Sequence, residues 1–269
     1  MTLLLPERLL ARVASGERLL SDGAIGTELM RRGVLMEDLP RVALDKPDLL
    51  RSVHRDYLEA GADILTAHTF SWKPTKEATR EALRIAIEVA ESSEREVGVW
   101  FSVTEKIDIS LFDDPDLFLK AMLLIETCSS MEAAILAATL LKIMLEKLSF
   151  ALSAHVREDG TLLDHTSVEG WVSAPTSGNV EIIGVNCGET PESFPAIVRR
   201  MRVVTSLPLL VQPSLGLPQV DSQGRPFYTK TPEAFAEALK PLRDVEGVII
   251  GGCCGTTPEH IARLKQELF

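Results

Sequence analysis

A chain of 269 residues, 45% of them hydrophobic, has the material for one large core, and its 39 acidic against 28 basic side chains leave a formal net charge of −11. That charge, with no Lys/Arg cluster, excludes nucleic acid as a partner, because neutralising phosphates needs concentrated positive charge. The longest charge-free apolar run in the middle of the chain, 133–141, is too short to span a bilayer, so no membrane partner is expected.

Residues 1–20 interleave Glu7, Arg8, Arg12, Glu17 and Arg18 with leucines, which predicts an amphipathic helix rather than an export signal, and a cytoplasmic location. In a reducing compartment the four cysteines point to metal binding or catalysis rather than to disulfides. Short, apolar, β-branched runs predict strands at 19–22, 62–70, 97–103, 121–127, 149–156, 181–187, 208–214 and 247–254. Helical patterns fall between them at 47–60, 76–92, 131–147, 191–205, 232–242 and 258–268. The helices after the third and fifth strands are poorly marked: the stretch from 104 to 121 is short, and 170–179 is too short for a regular helix.

Three helices open on the same signal, Thr190-Pro191-Glu192, Thr231-Pro232-Glu233 and Thr257-Pro258-Glu259. Each places a capping hydroxyl before a proline at the first helical position and an acid in the first turn. Strands without alternation suit a parallel sheet covered on both faces. Eight such alternations predict one (β/α)8 TIM barrel over 1–269, with shortened elements around strands 3–4 and 5–6. A doubly wound open sheet is the other candidate; no G-x-G-x-x-G follows any strand.

In a barrel the chemistry belongs at the C-terminal ends of the strands. Asp22, His68, Thr69, Glu126, Thr127, Asn186, Cys187, Cys253 and Cys254 fall there. Three thiols at two strand ends, Cys187 in Gly184-Val185-Asn186-Cys187 and the vicinal pair in Gly251-Gly252-Cys253-Cys254-Gly255, point to a three-thiolate metal site with one open position. Zn²⁺ is the natural metal for such ligands. Adjacent strand residues face opposite ways, so both vicinal thiols reach one metal only where the glycines release the backbone from strand geometry. Three thiolates and Zn²⁺ sum to −1, and a substrate thiolate makes −2. That surplus keeps a bound sulfur nucleophilic, so the site suits thiol activation better than carbonyl polarisation. Competing readings are unliganded buried thiols, a vicinal disulfide, and a redox dithiol at Cys253-Cys254. Cys128 reads as a packed or exposed thiol, with a ligand role left open.

The chain resembles the homocysteine S-methyltransferase domain family, through Leu20-Ser21-Asp22-Gly23-Ala24-Ile25-Gly26-Thr27-Glu28-Leu29, the run from His54 to Ile64, Leu124-Ile125-Glu126-Thr127, and both cysteine motifs through Pro258. The resemblance implies Cys187, Cys253 and Cys254 as zinc ligands and Asp22 and Glu126 as acids for the homocysteine ammonium. It also implies backbone donors for the substrate carboxylate in the Gly23–Thr27 turn, Gly23, Ala24 and Thr27 included. Asn186, His68 and Thr69 complete the expected substrate-binding set. The implied reaction is zinc-dependent methyl transfer to homocysteine, forming methionine, with no separate catalytic base.

The chain departs from the family pattern at His68 and Ser214, where asparagine is frequent, and at Thr104-Glu105-Lys106, where a Gly-Pro segment is usual. The donor stays open among a methylcorrinoid on a separate protein, S-methylmethionine, S-adenosylmethionine and betaine. Gly255 resembles the corrinoid-linked branch. The alternative is a non-catalytic zinc-thiolate homologue acting as a partner subunit.

Overall fold

The computed structural model describes residues 3–106, 108–145, 147–174, 180–222 and 226–269. Eight parallel strands form the wall: β1 Leu19–Leu20, β2 Ile64–Thr66, β3 Gly98–Val103, β4 Met122–Cys128, β5 Phe150–His155, β6 Ile182–Cys187, β7 Leu209–Pro213 and β8 Val248–Ile250. Hydrogen-bonded neighbours run from β1 through β8, β7, β6, β5, β4 and β3 to β2. A parallel bridge from Ser21 to Ile64 closes β1 on β2. Asp63 strengthens the closure: its N–H donates to the Leu20 carbonyl at 2.6 Å, and its Oδ2 accepts from the Leu20 N–H at 2.9 Å. The molecule is a TIM barrel, as the alternation of elements predicts. Among the described residues, no helix is long and apolar enough to cross a membrane.

Two apolar clusters follow from the pleat. Alternate strand residues face outward and pack under the helices. The inward set includes Leu19, Ile64, Trp100, Met122, Leu124, Ala151, Ile182, Leu210 and Ile249. Leu9 and Val13, from the helix Pro6–Ala14, join that inner cluster and plug the barrel's floor. This helix is shorter than the 1–20 expected, because Leu19 and Leu20 are already wall; residues 1 and 2 lie outside the described set.

Helices form at Pro47–Glu59, Lys76–Glu91, Met131–Met144, Phe194–Val204, Pro232–Leu239 and Pro258–Leu268. Thr231 accepts from the Ala234 N–H, and Thr190 caps a 3₁₀ turn, Pro191–Ser193, that leads into its helix. Among the described residues, only Ile109–Leu111 and Pro115–Phe118 are helical between β3 and β4, and only Val168–Ser173 between β5 and β6, so the elements there are short. The end of the 170–179 segment lies outside the described residues. Two expected strands, 62–70 and 247–254, end early. The chain turns at Ala67, whose carbonyl accepts from the Thr69 N–H at 2.8 Å, and again after Ile250.

His54, on the inner face of Pro47–Glu59, is fully buried, and neither ring nitrogen has a hydrogen-bond partner among the described residues. Burial, helped by His68, depresses its pKa to about 3, so it is neutral in the folded protein. A depressed histidine contributes stability above its unfolded pKa near 6.5 that is lost as pH falls toward 3. His54→Leu is therefore expected to stabilise the fold, with an advantage that grows by about 2 kcal/mol between pH 7 and pH 5. Thermal melts of both proteins at the two pH values check this; an advantage that does not change with pH refutes it.

Candidate metal and substrate site

Above the apolar interior, the next inward position of six strands is polar. Ser21 follows Leu19, Thr66 follows Ile64, Ser102 follows Trp100, Glu126 follows Leu124, Ser153 follows Ala151 and Gln212 follows Leu210, each by two residues. On β6, Gly184 takes the intermediate position and Asn186 the one above it. A Cβ on Gly184 would lie 2.3 Å from the Leu210 carbonyl oxygen, so only glycine fits there. Seven strands thus deliver one polar layer at the C-terminal end of the barrel.

Hydrogen bonds link most of the layer. Asp22 is buried; it accepts from the Thr66 N–H and hydroxyl, each at 2.6 Å, and from Ser21 Oγ at 3.4 Å. Glu126 accepts from the Ser102 hydroxyl and from Asn186 Nδ2 at 3.0 Å. Asn186 Oδ1 accepts from the Thr127 N–H and from Ser153 Oγ, both at 3.0 Å. Burial raises both acids to about 7; Thr66 opposes it at Asp22, and Ser102 opposes it at Glu126.

The thiols stand over this layer. The Sγ atoms of Cys187, Cys253 and Cys254 all lie within 4.8 Å of one another, and they form the one such cluster among the described residues. Cys187 Sγ is 3.3 Å from Cys253 Sγ, and Cys253 Sγ is 3.9 Å from Cys254 Sγ. Tetrahedral zinc with Zn–S bonds of ~2.3 Å would space its sulfurs by ~3.8 Å, so the donor set fits that ion. The cysteines are free thiols, not disulfides. Hydrogen bonds from Cys187 and Cys253 draw the Cys254 thiol far down, while hydrogen bonding to Cys187 and Cys254 pushes Cys253 up.

Both vicinal thiols reach one point because the chain has left β8. Gly255 adopts φ +85°, and a Cβ there would meet the Tyr228 ring at 2.4 Å. Gly251 and Gly252 serve differently from the backbone freedom expected of them. They give room: a Cβ would fall 2.7 Å from the Asp22 carbonyl oxygen at Gly251 and 2.4 Å from Thr256 Oγ1 at Gly252. Thr127 (φ 56°) and Cys187 (φ 60°) hold left-handed backbone without being glycine, at about 1–2 kcal/mol each. The Asn186 bonds hold Thr127, and the Ser214 N–H, donating to the Cys187 carbonyl at 2.8 Å, holds Cys187.

A cavity of about 410 Å³ opens beside the thiols. Its lining includes Gly23, Ala24, Thr27, Thr66, His68, Glu126, Gln212, Cys187, Cys253 and Cys254. Asp22 and Asn186 are fully buried outside that lining, hydrogen-bonded to lining residues. His68 forms part of the wall, its Nε2 3.0 Å from the Leu39 carbonyl. Thr69 is placed away from the cavity lining; its hydroxyl donates to the Ser102 carbonyl at 2.7 Å and ties β2 to β3. The Ala24 N–H donates to Thr256 Oγ1 at 3.1 Å, and Thr27 Oγ1 accepts from the Gly255 N–H at 3.0 Å. Glu28, in the same motif, is buried under Arg31 and Arg32 at 2.7 Å and serves packing. Cys128 is buried in the outer core, away from the thiol cluster.

Ser102, Ser153, Gln212 and Tyr228 were not among the expected site residues. A polar residue inside an apolar strand signals the first three. Nothing local signals Tyr228, which follows the short hairpin of Gln219–Val220 with Pro226–Phe227 and lays its ring against Gly255.

The family model for homocysteine S-methyltransferase matches residues 19–110 and 120–268. Methionine synthase of Mycobacterium tuberculosis is 28% identical over 253 residues, covering 80% of this chain and 21% of that protein. That of Mycobacterium leprae is 25% identical over 256 residues, with the same coverage. The chain therefore spans about a fifth of the length of these curated relatives. The homocysteine methyltransferase MmuM of Escherichia coli, in its metallated form, superposes with a TM-score of 0.74 at 23% identity, covering 95% of this chain and 98% of that one.

Proposed function

The chain belongs to the homocysteine S-methyltransferase family, and from that premise we propose that it transfers a methyl group to the sulfur of homocysteine, forming methionine, with Zn²⁺ held by Cys187, Cys253 and Cys254. The observation that carries this reading is the three-thiol cluster opening onto a cavity whose lining includes the half-buried acid Glu126. Zinc bound there supplies a Lewis acid that takes up a thiol as thiolate at neutral pH.

The other contributions come from the chain. Glu126 and Asp22 offer negative charge to the substrate ammonium, and Asn186, Ser102 and Thr66 fix those carboxylates. The first turn of Ile25–Arg31 holds the substrate carboxylate through N–H groups that have no intrahelical partner. The Ala24 N–H is committed to Thr256, which leaves those of Ile25, Gly26 and Thr27. His68 closes one wall, and Thr69 braces it. The substrate sulfur then attacks the donor's methyl carbon as the bond from methyl to donor breaks. No side chain need act as a base once the thiol proton has gone.

The donor is one of a methylcorrinoid on a separate protein, S-methylmethionine, S-adenosylmethionine or betaine. At Gly255 the Tyr228 ring occupies the space a longer side chain would need. Methionine formation by zinc-loaded protein, followed in parallel with methylcobalamin and the three small donors, tests the proposal. Turnover with one donor is the expected result. Zinc and homocysteine uptake without turnover on any donor would replace it by the non-catalytic partner-subunit reading.

A further inference from the structure

Gln212 is buried on β7 and belongs to the lining of the thiol-side cavity. Its parallel register partner is Asn186, which holds Glu126; on its other side it contacts Ser21, which bonds Asp22. It therefore stands between the two acids, and nothing in the sequence reading gave it a task.

Donor and acceptor counting fixes its amide. Ser21 Oγ has one hydrogen, directed to Asp22 Oδ1 at 3.4 Å. Trp100 Nε1 can only donate, and it does so to Ser21 Oγ at 3.2 Å. The remaining lone pair of Ser21 takes a hydrogen, which Gln212 Nε2 supplies at 3.4 Å. The flipped amide would set two acceptors against each other. Gln212 Oε1 is thus left as a buried acceptor with no partner among the described residues. A buried acceptor in a cavity wall is unfavourable until a ligand supplies a donor.

An ammonium has three hydrogens to place. We infer that Gln212 Oε1 accepts the third N–H of the homocysteine ammonium, beside Glu126 and Asp22, so that Gln212 selects an α-amino thiol over a plain thiol acid. This rests on the proposed homocysteine site and adds a specificity contact to it.

The test uses cobalt-substituted protein, whose thiolate-to-metal absorption reports thiol binding without turnover. Homocysteine is titrated against 4-mercaptobutanoate, which keeps the thiol and the carboxylate and lacks the ammonium. Gln212→Met, similar in length and unable to accept strongly, is expected to weaken homocysteine about 10- to 100-fold and to change 4-mercaptobutanoate by less than about twofold. Gln212→Glu keeps an acceptor and is expected to retain the preference for homocysteine, and it carries the test if the Met variant does not fold. The ratio of wild-type to Met-variant affinity is expected to stay constant between about pH 6 and 9. A ratio that changes with pH would mean that Gln212 acts only through Asp22, and would overturn direct contact. Equal loss on both ligands, or no loss, overturns the inference alone. A wild-type protein that responds to neither thiol overturns the underlying site as well.

Discussion

Cys253→Ala is expected to empty the thiol cluster of metal and to lower methionine formation on the order of 10³-fold or more, because two thiolates from distant strands do not make a closed site. Cys253 is the sharpest choice: its sulfur lies 3.3 Å from Cys187 and 3.9 Å from Cys254, so its loss removes a donor that neighbours both of the others. It also sits beside the amide that bonds Glu126, with Asn186 Nδ2 3.9 Å from its sulfur. Cys128→Ser is the matched control. Cys128 is equally a cysteine at a strand end, but it is packed into the outer core with its thiol near the Ile125 carbonyl. That variant is expected to keep its zinc and its turnover and to lose about 1–2 kcal/mol of stability. Zinc content by plasma emission, measured beside methionine formation, decides the matter. Full zinc occupancy in Cys253→Ala would refute the proposed ligand set.

The contrast between Cys253 and Cys128 shows what a sequence of this kind can carry. Glycines crowd Cys253 because the backbone must pass within van der Waals limits of Asp22 and Thr256, written as Gly251-Gly252, and must turn left-handed under the Tyr228 ring, written as Gly255. The alternation of elements was equally legible, since each helix and strand declares its own period and cap. The registers between strands were harder to read. That Gln212 faces Ser21, and that Tyr228 folds back over Gly255, depends on barrel closure and on a loop whose course no local pattern encodes. The surroundings of Thr69 were hidden in the same way: after the turn at Ala67 its hydroxyl donates to the Ser102 carbonyl in the wall.

Glu126→Gln is expected to bind homocysteine about 10- to 100-fold more weakly and yet to be more stable than the wild type in alkaline solution. The substitution is unusually clean. Glu126 accepts from Asn186 Nδ2 on one oxygen and from the Ser102 hydroxyl on the other. A glutamine keeps the first bond through its carbonyl and donates to Ser102, whose hydroxyl turns to accept. Asp22→Asn is less clean, since Asp22 Oδ1 receives the Ser21 hydroxyl as well as that of Thr66, and the acceptor positions of Ser21 are already taken by Trp100 and Gln212. The signs follow from linkage. Burial raises Glu126 to about 7, above its unfolded value near 4.5, so its stabilising contribution is complete below pH 4.5 and is lost as pH rises through 7. Metal-free wild type therefore weakens relative to Glu126→Gln across that window, the charge being forced into a desolvated layer. Binding runs the other way. Below pH 7 the acids at positions 22 and 126 are largely neutral, and the ammonium finds little charge; above it both ionise and affinity rises. The wild-type affinity for homocysteine should climb between pH 6 and 8, and the variant, with one ionisation fewer, should climb less. Calorimetric titration across that range, with thermal melts of the metal-free proteins, reads both slopes. A variant that binds as tightly as wild type at pH 8 would remove Glu126 from the substrate site; one that binds weakly without gaining stability would mean that its carboxylate is not buried as a charge.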